Sequence, residues 1–452
     1  MFRNPVIALA IGMAFSAAAH AAVTAEEAKQ LGTTLTPVGA EKAGNKEGTI
    51  PEWTGGLTTP PAGFVKGSGK RPDPYAADKP RLTITGKNMF EYAPKLTAGT
   101  QELLKRNADY RIDVYPTHRP ATQPKHLLDN AQKNATAAKT ISGGLGIEGA
   151  RPGVPFPIPK DGYEVMWNHL TRYTGNTFCK YDSYNVDANG VPTLATTGES
   201  WQEYPIYVGN KSEPMKGTDL YYRIKLNYLA PARRAGESLI VQDAVNPLEQ
   251  PRRAWQYLPG QRRVKAAPDI AYDTPNPGTA GANTYDDAFM FNGAMDRYDF
   301  KLIGKKEMVI PYNAYRFQYE PGKVENVLKP KFVNPDIERW ELHRVWVVEA
   351  KLKEGKRHVY AKRTFYIDED TWIAFATDAY DANGVLYVSQ FMPSSFSYDA
   401  LAPTTSLQVY YNFVAGSYGT QGMCGMHNGI TYNDGLPAGQ WAPEVLAGSG
   451  VR

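Results

Sequence analysis

The chain has 452 residues, 42% hydrophobic and 21% charged, long enough for a large core and for one to three domains. Its net charge of +4 sets 50 basic residues against 46 acidic ones, too even for the electrostatic footprint of a nucleic-acid binder. Aromatic residues reach 12%, with 29 tyrosines, 41 glycines and 34 prolines, a texture that favours β over α.

The first residues read as an export signal. Arg3 supplies the positive end, residues 6–19 are a short apolar run, and Ala19-His20-Ala21 makes a small-x-small cleavage site. Cleavage near Ala21 leaves Ala22 as the new N-terminus. The run is too short for a permanent membrane helix, and no later stretch is apolar enough for one. No cysteine follows the site, so N-terminal lipidation has no acceptor. A soluble periplasmic protein is expected. Cys179 and Cys424, the two cysteines, are then expected to pair in an oxidising compartment. Closing so long a loop stabilises by roughly 5 kcal/mol at most in the chain-entropy model. Cys424-Gly-Met-His427 resembles half a zinc site but lacks a second ligand pair; no metal and no cofactor are expected.

Residues 23–32 predict a short helix stopped by Gly32. Residues 35–57 have neither helical nor strand period and read as an extended arm anchored by Trp53. A phosphate cradle is excluded, because no GxxxxGK[ST] precedes an apolar helix. Residues 96–107 predict an amphipathic helix capped by Thr97, 110–124 a strand running into a proline-rich turn, and 127–140 a second helix. Residues 22–154 are thus taken as an N-terminal arm with short helices.

A β domain is expected over 155–430. Three alternating prolines lead into a helix that opens with Asp161 three residues before Glu164, the spacing of a capping box. His169 lies beside the apolar face of this helix and is expected at the edge of the core. From 178 to 411 strands dominate. Asn189-Gly190 and Asn383-Gly384, each inside the string DANGV, predict hairpin turns. WQYLPGQRRV, residues 255–264, reads as strand, turn, strand and is expected near the middle of one large antiparallel sheet. Residues 266–287 form a loop of lid length. Residues 343–368 predict a hairpin turning near Gly355. There Arg363 shares a face with Ala361, Phe365 and Ile367, and an ion pair with Glu349 or its neighbours is expected. Asp286-Asp287 and Asp368-Glu369-Asp370 are expected as solvated turn carboxylates. Residues 431–452 read as a polar tail open to fraying.

Several long stretches together resemble a known family. They are LTPVGAEKAGNKEGTIPEWTGG, PFPIPKDGYEVMWNHLTRY, WQYLPGQRRV with AYDTP, DRYDFKLIGKKEMVIPYN, and HRVWVVEAKLKEGKRHVYAKRTFYIDEDTW. They are similar to a proteobacterial periplasmic family known mainly as a domain of unknown function. The central part also resembles the outer-membrane lipoprotein-sorting superfamily, through Trp255, Tyr257, Pro259 and Val264, and then Tyr360, Lys362, Arg363, Tyr366, Asp368, Thr371 and Trp372. The resemblance implies a mainly β fold: a curved, incompletely closed antiparallel β-barrel with a few plugging helices and an apolar cavity between. It also implies company with outer-membrane β-barrel proteins and efflux-type exporters of hydrophobic compounds. The long N-terminal arm departs from the lipoprotein carriers and counts against lipoprotein as cargo.

No nucleophile elbow, zinc-protease motif, CxxC or dinucleotide fingerprint occurs, and no catalytic residue is nominated. Three readings remain: a binding protein or carrier for a hydrophobic small molecule or lipid, a hydrolase with unrecognised catalytic residues, and an adaptor docking on a β-barrel or exporter. For the first, Trp255, Tyr257 and Arg263 are candidate wall and rim positions, with the helix at Trp167 and the loop 266–287 closing the cavity.

Overall fold

The computed structural model describes residues 23–449, so the expected signal segment and cleavage site lie outside the described residues. The long strands are β1 (Leu82–Thr85), β2 (Arg111–Val114), β3 (Thr177–Val186), β4 (Pro192–Glu203), β5 (Leu220–Ala230), β6 (Ser238–Ala244), β7 (Arg253–Leu258) and β8 (Arg263–Ala266). They continue with β9 (Tyr298–Pro311), β10 (Trp340–Leu352), β11 (Lys362–Asp368), β12 (Ala374–Tyr380), β13 (Leu386–Phe391), β14 (Gln408–Asn412), β15 (Ser417–Met423) and β16 (Thr431–Tyr432). All sixteen belong to one sheet, in the order β1-β2-β10-β11-β12-β13-β14-β15-β3-β4-β5-β6-β7-β8, with β9 beside β10 and β16 beside β3. Pairing is antiparallel throughout except at Trp340, which meets Val114 in parallel. The sheet does not close, and the fold is the open, mainly β architecture expected.

Among the described residues three helices exceed two turns: α1 (Ala98–Arg106), α2 (Lys125–Ala137) and α3 (Gly162–Leu170). Their caps follow the residue chemistry. Thr97 accepts from the Thr100 amide at 3.1 Å and Asp161 from the Glu164 amide at 2.8 Å. The Glu164 carboxylate accepts in turn from Lys160 N at 2.6 Å. Helix α3 shows that the sheet is curved. Its Trp167 ring lies 6.0 Å from Tyr221 of β5, while the helix also packs on β9 and β10, many strands away in sheet order. A sheet that touches one helix from both sides bends around it.

Helix α1 lies across β12 and β13. Asp378 of β12 accepts from the Ala98 and Gly99 amides, both at 3.0 Å, so a buried strand carboxylate serves the free N–H groups of the helix start. Gly99 is required there, because a Cβ would come within 2.2 Å of Ser389 Oγ. With packing on both faces, β10 is buried almost end to end and shows no alternation of exposure.

The two DANGV strings make the same turn. Asp187 Oδ1 accepts from the Asn189 and Val191 amides, and Asp381 Oδ1 from the Asn383 and Val385 amides, all at 2.9 Å. They join β3 to β4 and β12 to β13, respectively.

Two expectations need correction. The hairpin of residues 255–264 is β7 and β8, and it forms an edge of the sheet, not its middle. After β8 the chain leaves the sheet, and β15 returns to pair with β3. The edge is blunted by the exposed cations Arg262, Arg263 and Lys265. The C-terminal segment is not frayed through the described residues: Trp441 and Leu446 are buried against Ile240 and Tyr257. The N-terminal segment is woven into the fold. Val38 O accepts from the Trp372 indole at 3.0 Å, the Trp53 indole donates to Ala121 O at 2.8 Å, and β1 and β2 extend the sheet.

Where β2 meets β10, Glu338 is buried with the Tyr110 hydroxyl donating to it at 3.0 Å. Burial pushes its carboxyl up to about 8, against which the Tyr110 hydrogen bond acts. The unfolded chain ionises this group near pH 4.3, roughly the ordinary glutamate value. Between these values the folded state holds a proton that the unfolded state has released. Stability from this group is therefore complete at low pH and is lost as pH rises toward 8. Glu338→Gln should leave the melting temperature at pH 5 nearly unchanged and raise it at pH 8.5, read by thermal denaturation across pH.

Candidate functional site

The concave side is filled by the chain between β8 and β9. Its last part, Tyr285–Met290, is a tight helical turn started by Thr284, whose hydroxyl donates to Asp287 Oδ2 at 2.9 Å while Thr284 N donates to the same oxygen at 3.0 Å. This plug presents Asp286 and Asp287 to Arg363 of β11. Arg363 Nη1 donates to Asp286 Oδ2 at 3.1 Å, and Nη2 donates to Asp287 Oδ1 at 2.8 Å and to Met290 O at 3.2 Å. His358 Nε2 lies 2.9 Å from Asp286 Oδ2, and the Tyr360 hydroxyl donates to Asp287 at 2.8 Å. Arg363 and Asp287 are 0% exposed and Asp286 is 3% exposed, so the expectation of solvated turn carboxylates is corrected. Burial alone would raise Asp286, but the Arg363 guanidinium and His358 beside it hold its carboxylate well below the ordinary range. The expected ion pair of Arg363 exists with a different partner: Glu349 lies opposite Thr364 in register, and the carboxylates come from the plug.

The tip of the plug is strained. Phe289 and Met290 have φ of +55° and +75°, the left-handed region, which costs about 1–3 kcal/mol per residue. Gln408 of β14 holds it, accepting from Phe289 N at 3.0 Å and donating to Asp287 O at 3.0 Å. His169 is at the centre of the core, not its edge. Its Nδ1 accepts from Ala374 N at 3.2 Å, and Nε2–H then donates to Phe289 O at 3.1 Å. Burial first, and Arg172 second, push His169 well below its ordinary range, so the ring is neutral and tethers helix α3 to the plug.

Between plug and sheet lies a cavity of about 100 Å³. Ile224 and Leu226 of β5 and Leu239 and Val241 of β6 form one wall, and Tyr285 and Phe289 of the plug the other. Cys179 lines it as well and is joined to Cys424 in a disulfide with Cα atoms 5.7 Å apart. Arg252, the charged side chain of this wall, donates to both oxygens of Asp243 at 2.8 and 2.6 Å. Gln408 is committed to the plug, and Gln421 accepts from Asn283 at 3.1 Å. Ser406 Oγ has no hydrogen-bond partner. Such a wall receives a largely apolar, uncharged group. A second, larger groove of about 850 Å³ runs between α1 and the strands β9 to β11, beneath the exposed Phe90; it is open, with Lys105, Lys306, Glu102 and Glu349 among its lining residues.

Trp255, Tyr257 and Arg263 do not line the cavity. Leu239, which does, lies opposite Gln256, so Trp255 opposite Ile240 points to the other face. Trp255 and Tyr257 pack there with Trp441, and Arg263 is exposed on edge strand β8. The half zinc motif is divided, with Cys424 in the disulfide and His427 Nε2 3.1 Å from Asp182 Oδ1. From the residues alone Asp286 and Asp287 were singled out as turn acids, and their burial and pairing with Arg363 were missed. The signal was an arginine set in an apolar strand face, which requires a carboxylate from elsewhere, and Thr284 three residues before Asp287 in an otherwise irregular loop.

The family described as "Protein of unknown function (DUF1329)" matches residues 83–447. The chain belongs to the DUF1329 family. The match takes in nearly all of the sheet, helix α3, the plug and both cysteines. The uncharacterized protein PA3922 of Pseudomonas aeruginosa is 42% identical over 437 residues, covering 96% of this chain and 95% of that protein. Among solved structures, a DUF1329 family protein from Desulfovibrio piger is 15% identical, with 61% of this chain and 93% of that one covered and a TM-score of 0.40. A putative outer membrane lipoprotein-sorting protein domain from Vibrio parahaemolyticus is 13% identical, with 60% and 92% covered and a TM-score of 0.40. A LolA superfamily protein from Nitrosomonas europaea is 9% identical, with 62% and 97% covered and a TM-score of 0.34.

Removing the guanidinium leaves two buried carboxylates without their cation. Arg363→Met should therefore lower the unfolding free energy by about 3–5 kcal/mol in chemical denaturation. Adding Asp286→Asn and Asp287→Asn to the same chain should recover much of the loss. A triple variant no more stable than the single one would show that charge pairing does not hold the plug.

Proposed function

We propose that this protein is a periplasmic binding protein for a small, neutral, hydrophobic molecule, held between the plug and strands β3 to β6. The observation that carries the reading is the cavity wall: tyrosine, leucine, isoleucine and valine side chains, with its one charged group already paired. Burying about 200 Å² of apolar ligand surface there is worth roughly 5 kcal/mol before ordering costs. Ligands of lipid size need more room than the cavity of about 100 Å³ offers. The part of the loop before Thr284 contributes Ile270, Asn276 and Gly278 to the wall and would have to swing aside to admit them, while the Arg363 pairing keeps the tip in place. Serines line the cavity without a histidine beside them, which favours binding over hydrolysis. Export is supported by the N-terminal signal pattern and the disulfide. Among the described residues no helix is long and apolar enough to cross a membrane.

The test is to purify the protein from its native periplasm under mild conditions and identify co-purifying small molecules by mass spectrometry, followed by rebinding to emptied protein. A neutral apolar compound should be recovered. Leu226→Trp, which fills the cavity, should abolish rebinding, and Phe90→Glu in the outer groove should leave it unchanged. Empty protein that binds no fatty acid, sterol or phospholipid, or binding lost with Phe90→Glu and kept with Leu226→Trp, would overturn the assignment.

A further inference from the structure

We propose that His343, Asp368 and Asp370 form a binding site for one divalent transition-metal ion of the zinc or manganese type. This site is independent of the apolar cavity. His343 lies in β10, Asp368 ends β11, and Asp370 follows in the turn toward β12. One donor atom from each lies within 4.8 Å of the other two, and all three residues are buried.

The hydrogen bonds around the cluster use up the other atoms and leave the inward ones free. Glu341 Oε2 accepts from His343 Nε2–H at 3.0 Å, which fixes the tautomer with the lone pair on Nδ1. A carboxylate behind a metal-binding histidine plays this part in metal sites generally. Asp368 Oδ2 accepts three hydrogen bonds, from Thr371 N at 2.9 Å, Thr371 Oγ1 at 2.7 Å and the Tyr312 hydroxyl at 3.1 Å. Asp368 Oδ1 accepts none, although the residue is 0% exposed. It sits 4.0 Å from His343 Nδ1. That is too long for a hydrogen bond and within the span of two ligands across one ion with bonds of about 2.0–2.2 Å. Asp370 is oriented by Arg119, whose Nε and Nη2 donate to it at 2.8 and 2.7 Å, and each oxygen keeps a further lone pair. The Tyr312 ring stacks on His343 at 3.7 Å and fixes its plane.

The charge around the cluster is unbalanced. Two ion-pair networks meet there: Glu41, Glu369 and Asp370 face Arg119, Lys305 and Arg344 in one, while Asp78, Glu341 and Asp368 in the other have one permanent cation, Arg339, beside His118 and His343. With the histidines neutral, a divalent ion offsets the difference. One imidazole nitrogen and two carboxylate oxygens suit zinc, manganese or iron(II) better than calcium, which takes oxygen ligands alone. The N-terminal arm covers the network: Glu41 N donates to Glu369 at 3.2 Å, and Arg344 Nη1 donates to Ala43 O at 3.0 Å. Metal would enter as the arm docks and leave slowly.

The test uses tag-free mature protein, unfolded in guanidinium with EDTA and refolded with Co2+, Zn2+ or Mn2+. After desalting, one equivalent of metal should remain by elemental analysis. The Co2+ form should show the visible ligand-field bands of a low-symmetry N/O site, and EDTA should remove the ion over hours. Asp368→Asn and His343→Gln should each weaken binding by at least about tenfold, and Asp182→Asn, at the separate pair with His427, should not. Refolded wild-type protein that retains none of the three metals overturns the proposal without recourse to variants. So does equal retention by wild type, Asp368→Asn and His343→Gln.

Discussion

A guanidinium buried in an apolar strand face is stable only where carboxylates meet it, and Arg363 meets two. Much of the concave side follows from that pairing. Asp286 and Asp287 must stand at one depth in the half-barrel, which fixes the turn from Thr284 to Met290. The turn drives Phe289 into a left-handed conformation, and Gln408 and His169 hold it there. Phe289 and Tyr285 then become the inner wall of the cavity facing β5 and β6. Strands β11 and β14, helix α3 and the plug are thereby tied together by buried polar contacts.

The opposite face is organised differently. There the sheet is covered by separate pieces of chain: helix α1 over β12 and β13, the arm near the end of β11, and the C-terminal segment over β6 and β7. Each piece is held by polar groups placed at its approach, such as Asp378 under the start of α1 and Glu369 under the arm. A large open sheet exposes two edges and two faces, and covering them consumes most of the chain outside the strands. The long N-terminal segment, which has no period of its own, is explained by this need for cover.

Local chemistry was legible from the residues alone. The Thr97 and Asp161 caps, the two Asp-Ala-Asn-Gly turns, the β7–β8 hairpin and the helix at Trp167 all stand where spacing and residue type put them. The pairing of Cys179 with Cys424 follows from compartment and number, without geometry. Long-range order was not legible. Strand alternation gives two faces and no label for the inner one, so Trp255 and Tyr257 could not be assigned to the outer face before the pairing of Leu239 with Gln256 was known. Asp286, Asp287 and Asp370 look like turn acids because their cations, Arg363 and Arg119, are remote in sequence. The place of the hairpin at a sheet edge depends on which strand returns to β3, and that is a property of topology.

The most direct measurement of the central claim is hydrogen–deuterium exchange resolved to the plug. The Asp286, Asp287, Phe289 and Asn292 amides donate to Tyr272 O, Thr284 O, Gln408 Oε1 and Asp286 O. If the buried Arg363 pairing holds the plug as part of the core, these amides exchange as slowly as those of β11 in the wild-type protein. In Arg363→Met they become fast while the amides of β3 to β6 stay protected. Plug amides that exchange as rapidly as an exposed loop in the wild type would contradict the account.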